Sequence, residues 1–415
     1  MQTNDHSAVV RPMGGRRLRW RSASLIAICG GLGLLSGYAG PRELRVSPER
    51  QAPALPVTPM VVFGYNDLGM HCMNSDFSEL MVLPPFNTLH AQVLRRGEEP
   101  QIITSGVTVS YVIPANTHSA DKVNFWKYPQ ALLGSPLPNM GLAGNGLAGT
   151  MAATTGGDWS AVGIPLTPID DLGRESPYSV ATITVTQGTT LQARTQAVVP
   201  VSTEMSCILC HNLPGMSTAS DILTRHDQLH GTTLMQQRPV LCASCHASNA
   251  LGLPGQPGLE SLSRAMHNAH APRMGGINLP EVCYACHPGI RTKCLRDVHF
   301  SHGIMCTDCH GDMTAVADPA RTPWATEPRC GSCHNVAGHQ YEQPNTLYRN
   351  SIGHGSVHCS ACHGSPHAIT PTVTGIDNAQ ALALQGHAGV IDTCTVCHTV
   401  PPGSFFHSVD DKSGN

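Results

Sequence analysis

Aromatic residues are scarce in this sequence: Phe, Trp and Tyr together make up 5% of its 415 residues. Glycine and proline are abundant by contrast, at 41 and 32, and both punctuate regular elements. These figures argue against a large conventional apolar core in the cysteine-rich second half of the chain. Long hydrophobic runs are missing too. After residue 39 no stretch is apolar and long enough to cross a bilayer. Nor is there a basic excess, since the formal net charge is −3, so nucleic acid is disfavoured as a partner on electrostatic grounds.

The first 39 residues read as an export signal. Arg11, Arg16, Arg17, Arg19 and Arg21 form a basic front, SLIAICGGLGLL is apolar, and Gly37-Tyr38-Ala39 offers small residues for cleavage. An uncleaved membrane anchor is the alternative, although the apolar run is short for a span. Removing this leader takes away five arginines and one aspartate, leaving 20 basic against 27 acidic residues, a charge near −7. Residues 40–58 are rich in Pro and Arg and read as a linker.

What is present in quantity is cysteine and histidine, 17 and 23 residues. Fourteen of the cysteines fall into one pattern, C-x-x-C-H, repeated seven times within 192 residues. The copies are Cys207–Cys210–His211, Cys242–Cys245–His246, Cys283–Cys286–His287, Cys306–Cys309–His310, Cys330–Cys333–His334, Cys359–Cys362–His363 and Cys394–Cys397–His398. This pattern attaches haem c: the two thiols form thioethers to the porphyrin and the histidine becomes an axial ligand of the iron. One copy is a modest signal, because C-x-x-C also serves redox dithiols and zinc. Seven complete copies are a strong one. Zinc ribbons or a disulfide scaffold would leave the histidine after every second cysteine unexplained. Seven covalently held haems would also supply the apolar bulk that the second half lacks.

Successive motifs begin 35, 41, 23, 24, 29 and 35 residues apart, which forces the haems to lie near one another, as electron hopping requires. Each iron needs a second ligand. Beyond His6 and the motif histidines, 15 histidines remain. Histidine on both sides suits electron transfer, and an open side suits catalysis. His226, His230, His267, His270, His302, His354 and His387 rank first as distal ligands, with the 226/230 and 267/270 pairs set at helical spacing. His299, His339, His358, His367 and His407 are further candidates, with His358 the next addition. His71, in the GMHC segment, is the first choice from outside this half, with a hydrogen-bonded core histidine as its alternative. Helices are expected over Ile222–His230, Leu259–Ala271 and Ala379–Gln385. Setting aside Cys29 in the leader, only Cys72 and Cys294 are left outside the motifs. They are a possible disulfide between the two halves, and a stray thiol at Cys294 is the alternative.

Residues 59–201 carry no motif and read as strands: PMVVFGYN, HAQVLRRG, QIITSGVTVSYVIP, SAVGIPLTPI, YSVATITVTQG and TTLQARTQAVVPV. The last two, across Gln187-Gly188-Thr189, predict a hairpin. The expected fold is an N-terminal β-rich, sandwich-like domain (59–201) followed by a haem-packed domain of short helices and irregular loops (202–415). The Gly-rich stretch between Leu132 and Gly157 is long for an idle loop, so it is expected to be mobile or to pack against something.

The motif-bearing half resembles the multihaem c-type cytochromes of respiring bacteria, and CYACHPGIRTKCLRDVHFSHGIMCTDCHGD, together with a front domain holding GMHC, carries that likeness most closely. The resemblance covers roughly half the chain. It implies a secreted electron-transfer protein with seven haem c groups, mostly bis-histidine, in the periplasm or at the outer membrane and cell surface. Its partners would be redox proteins as donor and acceptor, with outer-membrane or self-assembly partners as a further option. The lysine variant C-x-x-C-K, found in pentahaem nitrite reductases, does not occur here. The alternative function is a multihaem oxidoreductase with one open iron acting on a small nitrogen or sulfur compound. A third option makes the front half a docking module.

Overall fold

The first half is built from strands with β-branched and aromatic residues at alternate positions. The computed structural model describes residues 58–137, 140–337 and 340–403; the leader, all of the linker but its last residue, His339 and His407 lie outside the described residues. In chain order the strands are β1 (Met60–Tyr65), β2 (His71–Cys72), β3 (Leu80–Met81), β4 (Thr88–Arg95), β5 (Gln101–Ile102), β6 (Thr108–Val112), β7 (Ala148–Thr150), β8 (Ala152–Ala153), β9 (Trp159–Val162), β10 (Tyr178–Gln187), β11 (Thr190–Ser202) and β12 (Val240–Leu241). One sheet has the order β1-β4-β9-β8, with β5 also on β4, and a second has the order β2-β11-β10-β6-β7. The hairpin β10–β11 pairs antiparallel across Gly188, whose φ of 59° suits the tight turn. The Gly-rich stretch contributes β7 and β8, so it packs into both sheets.

β10 alternates buried and half-buried positions, the signature of a strand with one face on a core. β1 is buried along its whole length. Met60 and Val62 join the main core, with Ile183 and Val199 of the other sheet. Val61, Phe63 and Tyr65 face the opposite way, against Ala361 and Val396 of the second half. A glycine is required at position 64, because a Cβ there would sit 2.6 Å from Ile183 Cδ1 and 2.8 Å from Ala197 Cβ.

The second half has short helices separated by irregular loops. They follow α1 (Pro129–Leu133) of the front half and are α2 (Thr218–His230), α3 (Leu262–His270), α4 (Val298–Ser301), α5 (Cys306–His310), α6 (Met313–Val316), α7 (Cys359–His363) and α8 (Ala379–Gln385). The three helices expected from periodicity are all present. Among the described residues no helix is long and apolar enough to cross a membrane.

Contacts between the halves run the length of the chain. β12 pairs in parallel with β3. Gly64 N–H donates to Gln380 Oε1 at 2.7 Å, and His358 N–H to Gln92 Oε1 at 2.8 Å. Lys293 N–H donates to the Tyr178 hydroxyl at 2.7 Å. The deepest link is Arg296, 1% exposed, which makes two bonds to Asp377 (2.8 and 2.9 Å) and donates to the Gly69 carbonyl at 2.8 Å. Gly69 itself lies against Pro366, whose carbonyl oxygen would be 2.0 Å from any Cβ at that position.

Candidate functional site

Each C-x-x-C-H motif forms a single helical turn. The histidine N–H returns to the carbonyl of the first cysteine at 2.9 Å for His211, 3.0 Å for His246, 2.8 Å for His287 and His334 and 2.9 Å for His398. α5 and α7 are the fourth and sixth motifs themselves. Residues at i, i+3 and i+4 share one face of such a turn, so both thiols and the imidazole project the same way.

Among the described residues, a second imidazole stands opposite the motif imidazoles His211, His246, His287, His310, His334 and His398. Ring centres are 6.2 Å apart for His211 and His270, 6.4 Å for His226 and His246, and 6.1 Å for His267 and His287. They are 6.2 Å apart for His299 and His334, 6.0 Å for His310 and His367, and 6.1 Å for His354 and His398. Two directly hydrogen-bonded imidazoles, with nitrogens about 2.9 Å apart, would bring ring centres to roughly 5.1 Å. An imidazole nitrogen lies about 2.0 Å from a first-row metal and roughly 1.1 Å from its own ring centre, so one metal between two rings sets the centres roughly 6.2 Å apart. The spacing is longer than a direct imidazole–imidazole hydrogen bond and is the one that a metal held between the two rings would give.

On seven of these rings Nδ1 already has a partner. His267 and His270 donate from Nδ1 to the carbonyls of Ser263 and Met266, both at 2.7 Å, folding back along α3. His246 and His398 donate to the carbonyls of Glu260 (2.9 Å) and Glu98 (2.8 Å). His226 meets Thr232 Oγ1 at 2.9 Å, that hydroxyl's own proton being given to Asp227. His299 is 3.2 Å from Asp297 Oδ2, and His367 is 3.3 Å from Cys294 Sγ. A proton fixed on Nδ1 leaves the Nε2 lone pair for a metal, the usual arrangement around ligating histidines. Burial pushes His287 and His310 down to about 4, keeping them neutral as ligands must be. At His367 burial acts the same way, but Cys294, Asp297 and Cys306 together outweigh it and raise the ring to about 8; a metal on Nε2 would displace that proton.

The helices that carry these rings are capped by sequence. Ser217 accepts from Ser220 N–H at the start of α2, Ser261 from Arg264 N–H at the start of α3, and Asp297 from Phe300 N–H at the start of α4. Thus α2 carries Asp221, 3.9 Å from His211, and also His226, which faces His246. α3 serves two motifs at once, with His270 at the first and His267 at the third.

Thiols of different motifs are also neighbours. Burial and the nearby Cys207 and Cys210 push Cys286 up to about 11. The sulfurs of Cys283 and Cys306 lie within 4.8 Å of each other and of a Glu281 carboxylate oxygen. Cys309 feels Cys333, Cys359 feels Cys330, and Cys362, pushed to about 12 by burial, feels Cys397. With α2 joining the second motif to the first, the spatial order is two, one, three, four, five, six, seven.

Of the seven histidines ranked first, His226, His267, His270 and His354 stand opposite a motif imidazole, and three do not. His230 ends α2 exposed, its ring centre 4.8 Å from His226. His302 is exposed beyond the end of α4, where Asp297 orients His299 instead. His387 is exposed and paired with Asp392 at 3.2 Å. The places are taken by His299 and His367. His358 contacts the Gly156 carbonyl through Nε2 (2.9 Å), and His71 the Pro84 carbonyl through Nε2 (2.7 Å). Burial lowers His71 to about 4. Cys72 and Cys294 are free thiols, not a disulfide. They lie close enough to interact electrostatically, with the Cys72 thiol raised mainly by burial, but the Cys294 sulfur is directed at His367.

The residues thus fit haem c: two thiols and an imidazole on one turn, at six motifs a facing imidazole at a distance a metal could bridge, and on seven of these rings a partner at Nδ1. Ile208 and Leu209, between the cysteines of the first motif, are 63% and 51% exposed, apolar surface of the kind a porphyrin covers. No protein-family model, characterised protein or solved structure matches this chain.

Proposed function

We propose that this chain is an exported multihaem c-type cytochrome that passes electrons along seven covalently bound haems. The observation that carries the reading is the set of six facing histidine pairs at 6.0–6.4 Å, each including the histidine of a C-x-x-C-H motif. When bound, haem supplies a one-electron iron couple. The protein's own residues do the rest. The two cysteines of each motif would hold its porphyrin. His211, His246, His287, His310, His334, His363 and His398 would supply one iron ligand each, and His226, His267, His270, His299, His354 and His367 would supply the facing ones. Thr232, Asp297 and the backbone carbonyls hold ring orientation and ligand basicity. Histidine on both sides of the iron favours electron transfer over substrate binding.

In this reading the front half is a sandwich-like module onto which the haem half is packed, the protein works in the periplasm or at the outer membrane and cell surface, and its partners are redox proteins. Intact mass and spectroscopy of the exported chain test it. Seven covalent haems with low-spin ferric spectra are expected. A haem-free mass from cells competent in haem attachment would overturn it.

A further inference from the structure

Five distal rings have an identified acceptor at Nδ1, and one of these acceptors is unlike the others. His226, His267, His270 and His299 use oxygen: a hydroxyl, two carbonyls and a carboxylate. His367 uses sulfur, with its Nδ1 at 3.3 Å from Cys294 Sγ. This contact is held by a frame that reaches across both halves. Arg296 donates from Nη1 to the carbonyls of Cys294 (3.1 Å) and Gly69 (2.8 Å), and its own N–H donates to the His367 carbonyl at 2.9 Å. His367 has a φ of 59°, in the left-handed region that is uncommon outside glycine, and the GMHC segment closes over it, since a Cβ on Gly69 would lie 3.0 Å from His367 Cβ. A strained backbone fixed this firmly sets the ring where the sulfur can meet it.

We infer that Cys294 is a positioning residue for the distal ligand His367, and that its sulfur makes the iron site between His310 and His367 electronically distinct from its neighbours. The inference rests on the haem reading above. The physical argument is that a ligating imidazole becomes more electron-rich as its Nδ1 proton is drawn toward an acceptor, which favours ferric iron. Sulfur is a weaker acceptor than a hydroxyl, carbonyl or carboxylate oxygen. Oxygen-anchored sites are therefore pulled toward lower potential more strongly than this one. The fourth motif stands mid-way in the spatial order, with the third and fifth as neighbours, so the electron path is given a step at its centre.

Redox titration of the fully loaded protein, followed by electron paramagnetic resonance, tests this with Cys294→Ala and Cys294→Ser. Alanine leaves Nδ1 without an acceptor, so one of the seven components should move to higher potential, by roughly tenfold in its ferric-to-ferrous ratio or 59 mV for a one-electron couple. Serine offers oxygen, so the same component should move to lower potential and change its spectral signature. The other six should hold. Unchanged components in both loaded variants, or a shift spread over several haems, would overturn the inference. So would loss of haem loading in the serine variant, which keeps size and polarity and would then point to packing alone. A wild-type chain without haem would instead sink the underlying reading, which mass measurement separates from this outcome.

Discussion

The two halves of this molecule bury different things. Among the described residues the front half hides Phe77, Phe125, Ile113, Ile164 and Ile183 at or below 1% exposure, an apolar core of its own. The second half buries mainly small side chains, Ala243, Ala285, Ala361, Ala368 and Ala381, and its largest fully buried side chain is the charged Arg296. A region of over 200 residues with so little apolar burial cannot offset its chain entropy from side chains alone. The front half folds on the ordinary hydrophobic effect. The second, in the reading proposed here, folds on its cofactors.

The sharpest way to break this contrast is to withhold haem. In cells lacking haem attachment the second half should stay unfolded, and limited proteolysis should remove it, leaving a fragment that ends near residue 202. A haem-free chain that resists protease along its whole length would erase the distinction. Next in size is Arg296→Ala. It leaves the Asp377 carboxylate buried without a cation and frees the Gly69 carbonyl, which should cost about 3–5 kcal/mol in chemical denaturation; a loss under about 1 kcal/mol would mean that the seam between the halves does not depend on this clamp.

Acid should strike the front half through His71, which burial holds at about 4 against an ordinary 6.5. Between those values the unfolded chain takes up a proton that the folded chain refuses. His71's contribution is complete above pH 6.5 and falls as pH drops toward 4, by about 3 kcal/mol in all. His71→Gln, which keeps an N–H for the Pro84 carbonyl, should flatten the stability profile across that window. The smallest effects separate ligands from bystanders. His299→Ala should turn one haem high-spin, whereas His302→Ala and His387→Ala should leave the spectrum unchanged and stability within about 0.5 kcal/mol. A high-spin signal from His302→Ala would reverse the assignment at the fifth motif.

Much of this was legible in the chain. The strands announce themselves by alternation, and the Thr190–Ser202 and Tyr178–Gln187 pair by the turn at Gly188. The motifs need no structure to be seen. His226, His267 and His270 follow from helical spacing near a motif. His299 and His367 do not, because the deciding feature lies elsewhere: a cap at Asp297 that holds one ring and not its neighbour, and a positive φ at His367 braced by Gly69, almost 300 residues away. The parallel pairing of β12 with β3 and the inverted order of the first two motifs are long-range facts of the same kind.

α3 has a consequence for how the metal sites relate in space. His267 and His270 are three residues apart on one nine-residue helix, and each serves a different motif. Three residues of helix rise by about 4.5 Å and turn by about 300°, so the helix acts as a gauge that sets the offset between the His211 and His287 sites. Neither ring can be moved alone. One residue inserted between the two histidines would swing one ring about 100° away from its motif, and a tilt of the helix would be felt at both motifs at once, as two wheels feel a single axle.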